Sequence, residues 1–357
     1  MLNRPTLVQE VININRRCSK LFASATARSN RLFYRAKEKY FKMWVVCMDS
    51  RVDIPKVTKV PVGVGKHFRN LGARFNLEWE KFDEAVFRCY MHHLKEEGKG
   101  SLAMLNYHWS KGDKFRGCKG FNFDKEAAIA GMFGLQEQFR RVYGDNTESM
   151  IPIVVGLETD EDSLVFHGDK GDKLDLGALD ISNFCSESEL KRFLLAEFRK
   201  ILPKKPSSAI GDLCFMAQKN MEHTAEVRSS NRPIADLDHK ERVIVIGRGA
   251  DSIYEPNLAL IVGMYSDEPE EAIREAIGVV QHNIADGRIK KEDGFVLLST
   301  AAFGNENGLT FDRARERALG YRKLGLKIMK DYPDMLGYMH PLTTVTNLDD
   351  RMFKVIE

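Results

Sequence analysis

The sequence predicts an α/β fold, a mainly parallel sheet flanked by helices, built twice in one chain behind a pair of N-terminal helices. Three observations predict it. Short apolar runs such as MWVV at 43–46 and SLAML at 101–105 alternate with longer segments of helical periodicity. The stretch 120–145, GFNFDKEAAIAGMFGLQEQFRRVYGD, parallels 308–334, GLTFDRARERALGYRKLGLKIMKDYPD, in its Gly, its Phe-Asp pair, its helix and its closing Tyr. A chain of 357 residues is also long enough for two cores of ordinary size.

The elements follow in order. Residues 5–41 carry apolar positions at helical spacing and read as one or two helices, an N-terminal arm over 1–40. MWVVCMD is short, β-branched and aromatic, a buried strand, and VTKVPVGVGKHFRNLGARF supplies a glycine turn and a second strand. NLEWEKFDEAVFRCYMHHLKEEGKG is an amphipathic helix closed by Gly98, and SLAMLNYH is a further strand. Asp124 is placed to cap the helix that follows it. IPIVVGLETDEDSLVFHG gives two more strands, and 186–240 reads as helical with a break at PKKPSS. This makes 41–240 one domain. The remainder, 241–357, repeats it: RVIVIGRGADSIYEPNLALIVG parallels KMWVVCMDSRVDIPKVTKVPVG, with Gly247, Gly249 and Asp251 where Cys47, Asp49 and Arg51 stand. The second copy keeps a scaffold and loses the chemistry-bearing residues.

Composition narrows the function. No apolar run approaches eighteen residues, so no membrane span is expected. Six cysteines, at 18, 47, 89, 118, 185 and 214, form no CxxC pair and no disulfide framework. A net charge of +3 gives no case for nucleic acid. That charge is uneven: residues 1–42 hold ten Lys/Arg against Glu10 and Glu38, a solvated helix face or a contact with an acidic neighbour.

The chemistry gathers at strand ends, where α/β folds place their sites. Cys47 follows the first strand, His108 follows SLAMLNY, and Cys118 lies ten residues beyond in the Gly-rich SKGDKFRGCKGF. A loop that folded Cys118 back beside His108 would give a Cys₂His site for Zn²⁺ with one open position. Asp49 and Arg51 project on the same side of the extended chain as Cys47. Asp49 is a candidate acceptor for a water on the metal, and Arg51 a bidentate partner that keeps the carboxylate off it. His67, His92, His93 and Cys89 read as surface or packing residues. GRGAD at 247–251 lacks the pattern of a dinucleotide loop and reads as the ruined metal loop, still fit for a small anion.

At these residues the sequence resembles the β-class carbonic anhydrases. CMDSR followed by GKHFRNLGARF matches their Cys-x-Asp-Ser-Arg motif and their Arg-Asn-x-Gly turn, at Cys47, Asp49, Ser50, Arg51, Arg69, Asn70 and Gly72. Most of that class has His-x-x-Cys for the other two ligands, whereas nine residues separate His108 from Cys118 here. The longer loop and the fused second copy look more like the carboxysome shell carbonic anhydrases, in which one chain mimics the usual dimer. The resemblance covers the chain from about residue 20. It implies a duplicated β-carbonic-anhydrase-like fold, a pseudo-dimer in one chain, and Zn²⁺ on Cys47, His108 and Cys118, with Asp49 and Arg51 in catalysis. It further implies a zinc-activated water that adds to carbon dioxide, an even-numbered homo-oligomer, contacts with the carboxysome shell or Rubisco, and supply of carbon dioxide to Rubisco inside the carboxysome. Two other readings of the same residues stay open: hydrolysis of an analogue such as carbon disulfide, and a structural zinc protein of the shell.

Overall fold

The computed structural model describes residues 6–144, 148–168, 171–230, 232–233, 236–249, 255–304 and 310–356. Asp251, the expected counterpart of Arg51, lies outside them. Two mostly parallel mixed sheets flanked by helices make up the α/β architecture. The first contains β1 (Tyr40–Cys47), β2 (Lys66–Asn70), β3 (Gly100–Trp109), β4 (Met150–Glu158), β5 (Ser163–His167) and β6 (Lys173–Asp175), in the order β2-β1-β3-β4-β5-β6. The first four run parallel, β5 pairs antiparallel with β4, and β6 pairs antiparallel with β5. The second contains β7 (Val243–Gly247), β8 (Ala259–Val262), β9 (Phe295–Phe303), β10 (Met339–Asn347) and β11 (Phe353–Val355), in the order β8-β7-β9-β10-β11. There too the first four are parallel and the last antiparallel. The two sheets thus share order and sense through five strands.

Helices fill the crossovers that parallel pairing requires. In the first half these are α3 (Ile54–Val57), α4 (Glu80–Glu96) and α5 (Lys125–Tyr143); Asp124 Oδ1 accepts from Ala127 N–H at 3.0 Å, the expected cap. Then come α6 (Glu187–Ile201) and α7 (Ser207–Ser229), broken at the Pro-Lys-Lys-Pro stretch. The second half has α8 (Pro269–Ala285), α9 (Phe311–Met329) and the short α10 (Pro333–Leu336). No described helix is long and apolar enough to cross a membrane.

Two features were not expected. All eight residues of β1 are buried, including Lys42, whose Nζ donates to Glu38 Oε2 at 3.0 Å, Asp212 Oδ2 at 2.7 Å and Tyr40 O at 2.6 Å. A cation counted with the basic arm is therefore an interior ion pair. The arm itself divides into α1 (Leu7–Ala23) and α2 (Ala25–Lys37). Leu7, Val11 and Ile14 of α1 pack on Val243, Val245 and Val296 of the second sheet, and Asn15 bridges Arg351 O and Phe353 N–H. No residue of α2 is buried.

The halves are joined through β8. Ile261 N–H donates to Met48 O at 2.7 Å, Ser50 N–H to Ala259 O at 3.1 Å, and Ala259 N–H to Ser50 Oγ at 3.1 Å. Asp49 forms an antiparallel bridge with Leu260, and Gly263 N–H donates to Arg69 O at 3.0 Å. The loop after β1 is thereby held as if it were one more strand of the second sheet. One apolar core runs through both halves, taking Trp44 and Val46 from β1, Ile153 from β4, Ile244 and Ile246 from β7, and Ile273 from α8.

Candidate metal centre

Cys47 is the last residue of β1, and His108 is the penultimate residue of β3. These strands are parallel neighbours, so their carboxyl ends open at one edge. The loop from Ser110 to Gly117 returns Cys118 to that edge because acidic residues at the end of β4 and just past it hold it. Ser110 Oγ donates to Asp160 at 2.8 Å, Gly112 N–H to Asp160 Oδ2 at 2.7 Å and Lys111 N–H to Glu158 Oε1 at 2.9 Å. Farther along, Arg116 Nε donates to Asp238 Oδ1 at 2.7 Å. Past Cys118 the chain crosses the Arg-Asn-x-Gly turn at backbone contact. Gly72 has φ of +61°, and a Cβ on Gly120 would meet its Cα at 2.6 Å.

The three expected ligands meet. One donor atom from each of Cys47, His108 and Cys118 lies within 4.8 Å of the other two, and all three residues are buried. The two Sγ atoms are 4.0 Å apart, free thiols rather than a disulfide. Both ring nitrogens of His108 are buried without a hydrogen-bond partner, a costly state that a cation would relieve. The hydrogen bond from the Cys118 thiol holds Cys47 well below the usual thiol range, against the effect of burial. The same bond, with burial, pushes Cys118 well above it. One proton shared between two sulfurs is what a paired thiol site holds without a cation; two buried thiolates at this distance need one between them.

Asp49 stands outside that cluster. Arg51 Nη2 donates to Asp49 Oδ2 at 2.6 Å, Arg51 Nε to Oδ1 and Oδ2 at 3.2 and 3.1 Å, and Arg51 N–H to Oδ1 at 2.8 Å. Burial alone would raise the Asp49 carboxyl, but the Arg51 guanidinium holds it well below the usual carboxylate range. The remaining motif residues are scaffold. Arg69 donates to Cys47 O at 3.0 Å, Asp49 O at 3.2 Å and Val52 O at 2.9 Å, fixing the loop backbone. Asn70 O accepts from Met48 N–H at 2.8 Å, and Asn70 Nδ2 donates to Arg74 O at 2.9 Å.

Sequence reasoning missed the brace behind Arg51. Its Nη1 donates to Leu237 O at 3.0 Å and its Nη2 to Arg116 O and to His239 Nε2, both at 2.9 Å. An arginine can only donate, so Nε2 accepts and the His239 proton sits on Nδ1, facing Glu241 Oε1 at 3.0 Å. Glu241 is fully buried and receives Asn283 Nδ2 at 3.1 Å on its backbone oxygen. Asp49, His239 and Glu241 have the spacing of a metal cluster, but the Arg51 guanidinium already lies among them. The one available signal was the charged run LDHKE at 237–241, which the expected domain boundary at 240/241 cuts through.

His67, His92 and His93 do not join the three donors. His92 is exposed, and His93 is buried and stacked on Phe41 with ring centroids 3.5 Å apart. Cys89 is partly buried against the core, where burial pushes its thiol up to about 12. No family model and no curated protein matches the chain. What the geometry provides is a buried Cys₂His set able to hold a metal ion, beside an ionised carboxylate that its own arginine restrains.

Proposed function

We propose that the chain is a zinc carbonic anhydrase, interconverting carbon dioxide and bicarbonate at the Cys47–His108–Cys118 centre. The observation that carries this reading is the pairing of three convergent donors with a carboxylate, two residues from the first of them, that Arg51 withholds from the cluster. The donors fit zinc: tetrahedral Zn–S bonds of about 2.3 Å put two sulfurs about 3.8 Å apart, and the separation here is 4.0 Å. His108 brings a ring nitrogen that nothing else satisfies.

When bound, the cation supplies Lewis acidity and makes a coordinated water nucleophilic near neutral pH. The chain does the rest. Asp49, kept ionised by Arg51, accepts a hydrogen bond from the attacking water and orients its lone pair toward carbon dioxide. Arg51, held by Leu237, Arg116 and His239, keeps Asp49 in that role and off the metal. A permanently closed structural site would have no use for such a restraint, which favours the enzymatic reading.

The second half is read as a duplicated copy that lost its metal. The shared strand order supports this, as does the fall of the paralleled segments on α5 and α9. Gly247 ends β7 as Cys47 ends β1, and a Cβ there would meet Thr300 O at 1.8 Å. The sequence resemblance supports a homo-oligomer supplying carbon dioxide to Rubisco within a carboxysome, which sizing and co-purification with shells test.

The deciding experiment combines zinc analysis with stopped-flow carbon dioxide hydration. The wild-type chain should bind one zinc and turn over; Cys47→Ser, His108→Ala and Cys118→Ser should each lose the metal. Asp49→Asn should keep zinc and lose most of its hydration activity. Full activity in Asp49→Asn overturns the assigned role. Bound zinc with no hydration overturns the enzyme reading, and turnover of carbon disulfide in its place redirects it.

A further inference from the structure

The carboxyl end of α4 carries a second group of metal-ligating side chains, apart from the three donors of the first. One donor atom from each of His92, His93 and Glu97 lies within 4.8 Å of the other two. His93 and Glu97 are four residues apart and share a helix face, and the His92 ring stands beside that of His93 with centroids 5.0 Å apart. All three line a cavity of about 580 Å³ that opens to solvent, and none of Cys47, His108 and Cys118 lines it. An ion therefore reaches this cluster without passing the centre described above.

The cluster is held in the shape of a chelate. His93 is buried and stacked on Phe41 with ring centroids 3.5 Å apart and 14° between the planes, which fixes its imidazole. Tetrahedral bonds of about 2.0–2.1 Å put two donors about 3.3 Å apart, and His93 Nδ1 lies 3.0 Å from Glu97 Oε1. Lys99 meets the other carboxylate oxygen, Oε2, at 3.3 Å and leaves Oε1 to the imidazole. In the Asp49–His239–Glu241 group, by contrast, a guanidinium fills the space between the donors. His92 is exposed and hydrogen-bonds to none of the described residues, so its ring can turn to complete the set. The helix dipole adds to this, since its negative end favours a cation at the last turn of α4. Cys89, four residues before His93, is kept a thiol by burial, which leaves two imidazoles and one carboxylate as the donors.

That donor set suits zinc and its first-row neighbours, and not magnesium or calcium, which take oxygen ligands in larger number. The surroundings sharpen the choice. The cavity wall is rich in arginine and lysine, among them Arg35, Lys66 and Arg88. Arg35 is engaged with Gly63 O at 2.9 Å and Arg88 with Glu84, but their charge still repels a hard cation held by Coulomb attraction alone. Neutral imidazoles bind through their lone pairs and do not depend on a net negative field. We propose that His92, His93 and Glu97 bind a second divalent ion of the imidazole-seeking transition metals, Zn²⁺ or Co²⁺, with a coordination position left to water. With no thiolate and two exposed donors, this site is weaker than the Cys₂His centre. A chain freed of loose metal thus keeps one zinc, and the second site fills only where free metal is present.

Titration of the metal-free full chain with Co²⁺ tests the site, because cobalt on cysteine gives a thiolate charge-transfer band that cobalt on histidine and carboxylate lacks. Two equivalents are expected. The first should bring the thiolate band, and the second ligand-field absorption alone, displaced by Zn²⁺ but not by a large excess of Mg²⁺. His92→Gln and Glu97→Gln should each weaken the second equivalent tenfold or more while the thiolate band of the first stays unchanged. Cys47→Ser combined with Cys118→Ser should lose the first equivalent and keep the second. His282→Gln, which alters an exposed histidine of α8, should leave both within twofold. Unchanged circular dichroism shows that each variant folds. The proposal is overturned if only the thiolate-bearing equivalent binds, if His92→Gln and Glu97→Gln leave the second in place, if His282→Gln weakens it as much, or if Mg²⁺ displaces it. No arm reads carbon dioxide hydration, so failure of the carbonic anhydrase reading leaves this test intact.

Discussion

Replacing Arg51 by methionine separates the restraint on Asp49 from the metal site itself. Methionine keeps the apolar stem and roughly the volume while deleting the charge. Both partners are interior, with side chains 7% and 5% exposed for Arg51 and Asp49. The substitution leaves a buried carboxylate without its counter-charge and unpairs the carbonyls of Arg116 and Leu237, which Arg51 meets at 2.9 and 3.0 Å. Breaking one side of a buried ion pair costs about 3–5 kcal/mol. The carboxylate has a route to recover part of that, by turning to the zinc as a fourth ligand. The expected variant therefore keeps zinc near one equivalent and loses hydration by about 10²-fold or more. Its unfolding midpoint should fall modestly with zinc and much further after chelation. Metal analysis, stopped-flow hydration and denaturant unfolding with and without chelator read these three quantities. A variant with wild-type turnover and an unchanged midpoint in chelator would refute the restraint.

Three more outcomes follow from the same geometry. Glu241→Gln removes the charge that fixes the His239 proton on Nδ1 and lies 3.8 Å from Arg51 Nε; zinc content should hold while hydration falls several-fold and stability drops by about 1–3 kcal/mol. His167, whose Nε2 meets Tyr107 Oη at 2.7 Å, is pushed by burial from 6.5 down to about 4. The unfolded chain then binds the extra proton between those values, so this contribution is full above pH 6.5 and is lost as the pH falls toward 4; His167→Gln should flatten the stability profile across that window. Lys42→Met strands Glu38 and Asp212 beside each other and should cost about 3–5 kcal/mol in denaturant unfolding, with part recovered by adding Glu38→Gln.

How much of this was legible depends on sequence distance. Cys47, Asp49 and Arg51 are readable together because strand alternation alone sets their relation. His108 was reachable from the apolar run before it, and Cys118 from the glycines that let a loop turn back. What pins that loop is Asp160 and Glu158, some fifty positions on, and nothing local marks them as anchors. His239 is 188 positions from Arg51 and sits in a charged run that looks like linker. Lys42 was misassigned for a related reason: its type signals solvent, while its partners Glu38 and Asp212 make it interior. The pattern of α1 announces an apolar face but not that the face belongs to the second sheet, because periodicity carries no address.

These misses share a cause that bears on why the second half is present at all. The residues completing the metal loop from outside are Leu237, Asp238 and His239, Glu241 behind them, and the β8 edge. All lie after α7, at or beyond the entrance to the second sheet. Without them Arg51 would keep only Asp49 and Arg116 O as partners, and the loop at 48–50 would lose two backbone hydrogen bonds to Ala259 and Ile261 and the one that Ser50 Oγ accepts from Ala259 N–H. A half that, among the described residues, holds no Cys or His at the carboxyl ends of its strands still supplies the rigidity on which a three-donor site with a restrained carboxylate depends. Gly247, with φ of +131° and no room for a Cβ, fits that division of labour: the chain passes Thr300 at a distance that no cysteine allows.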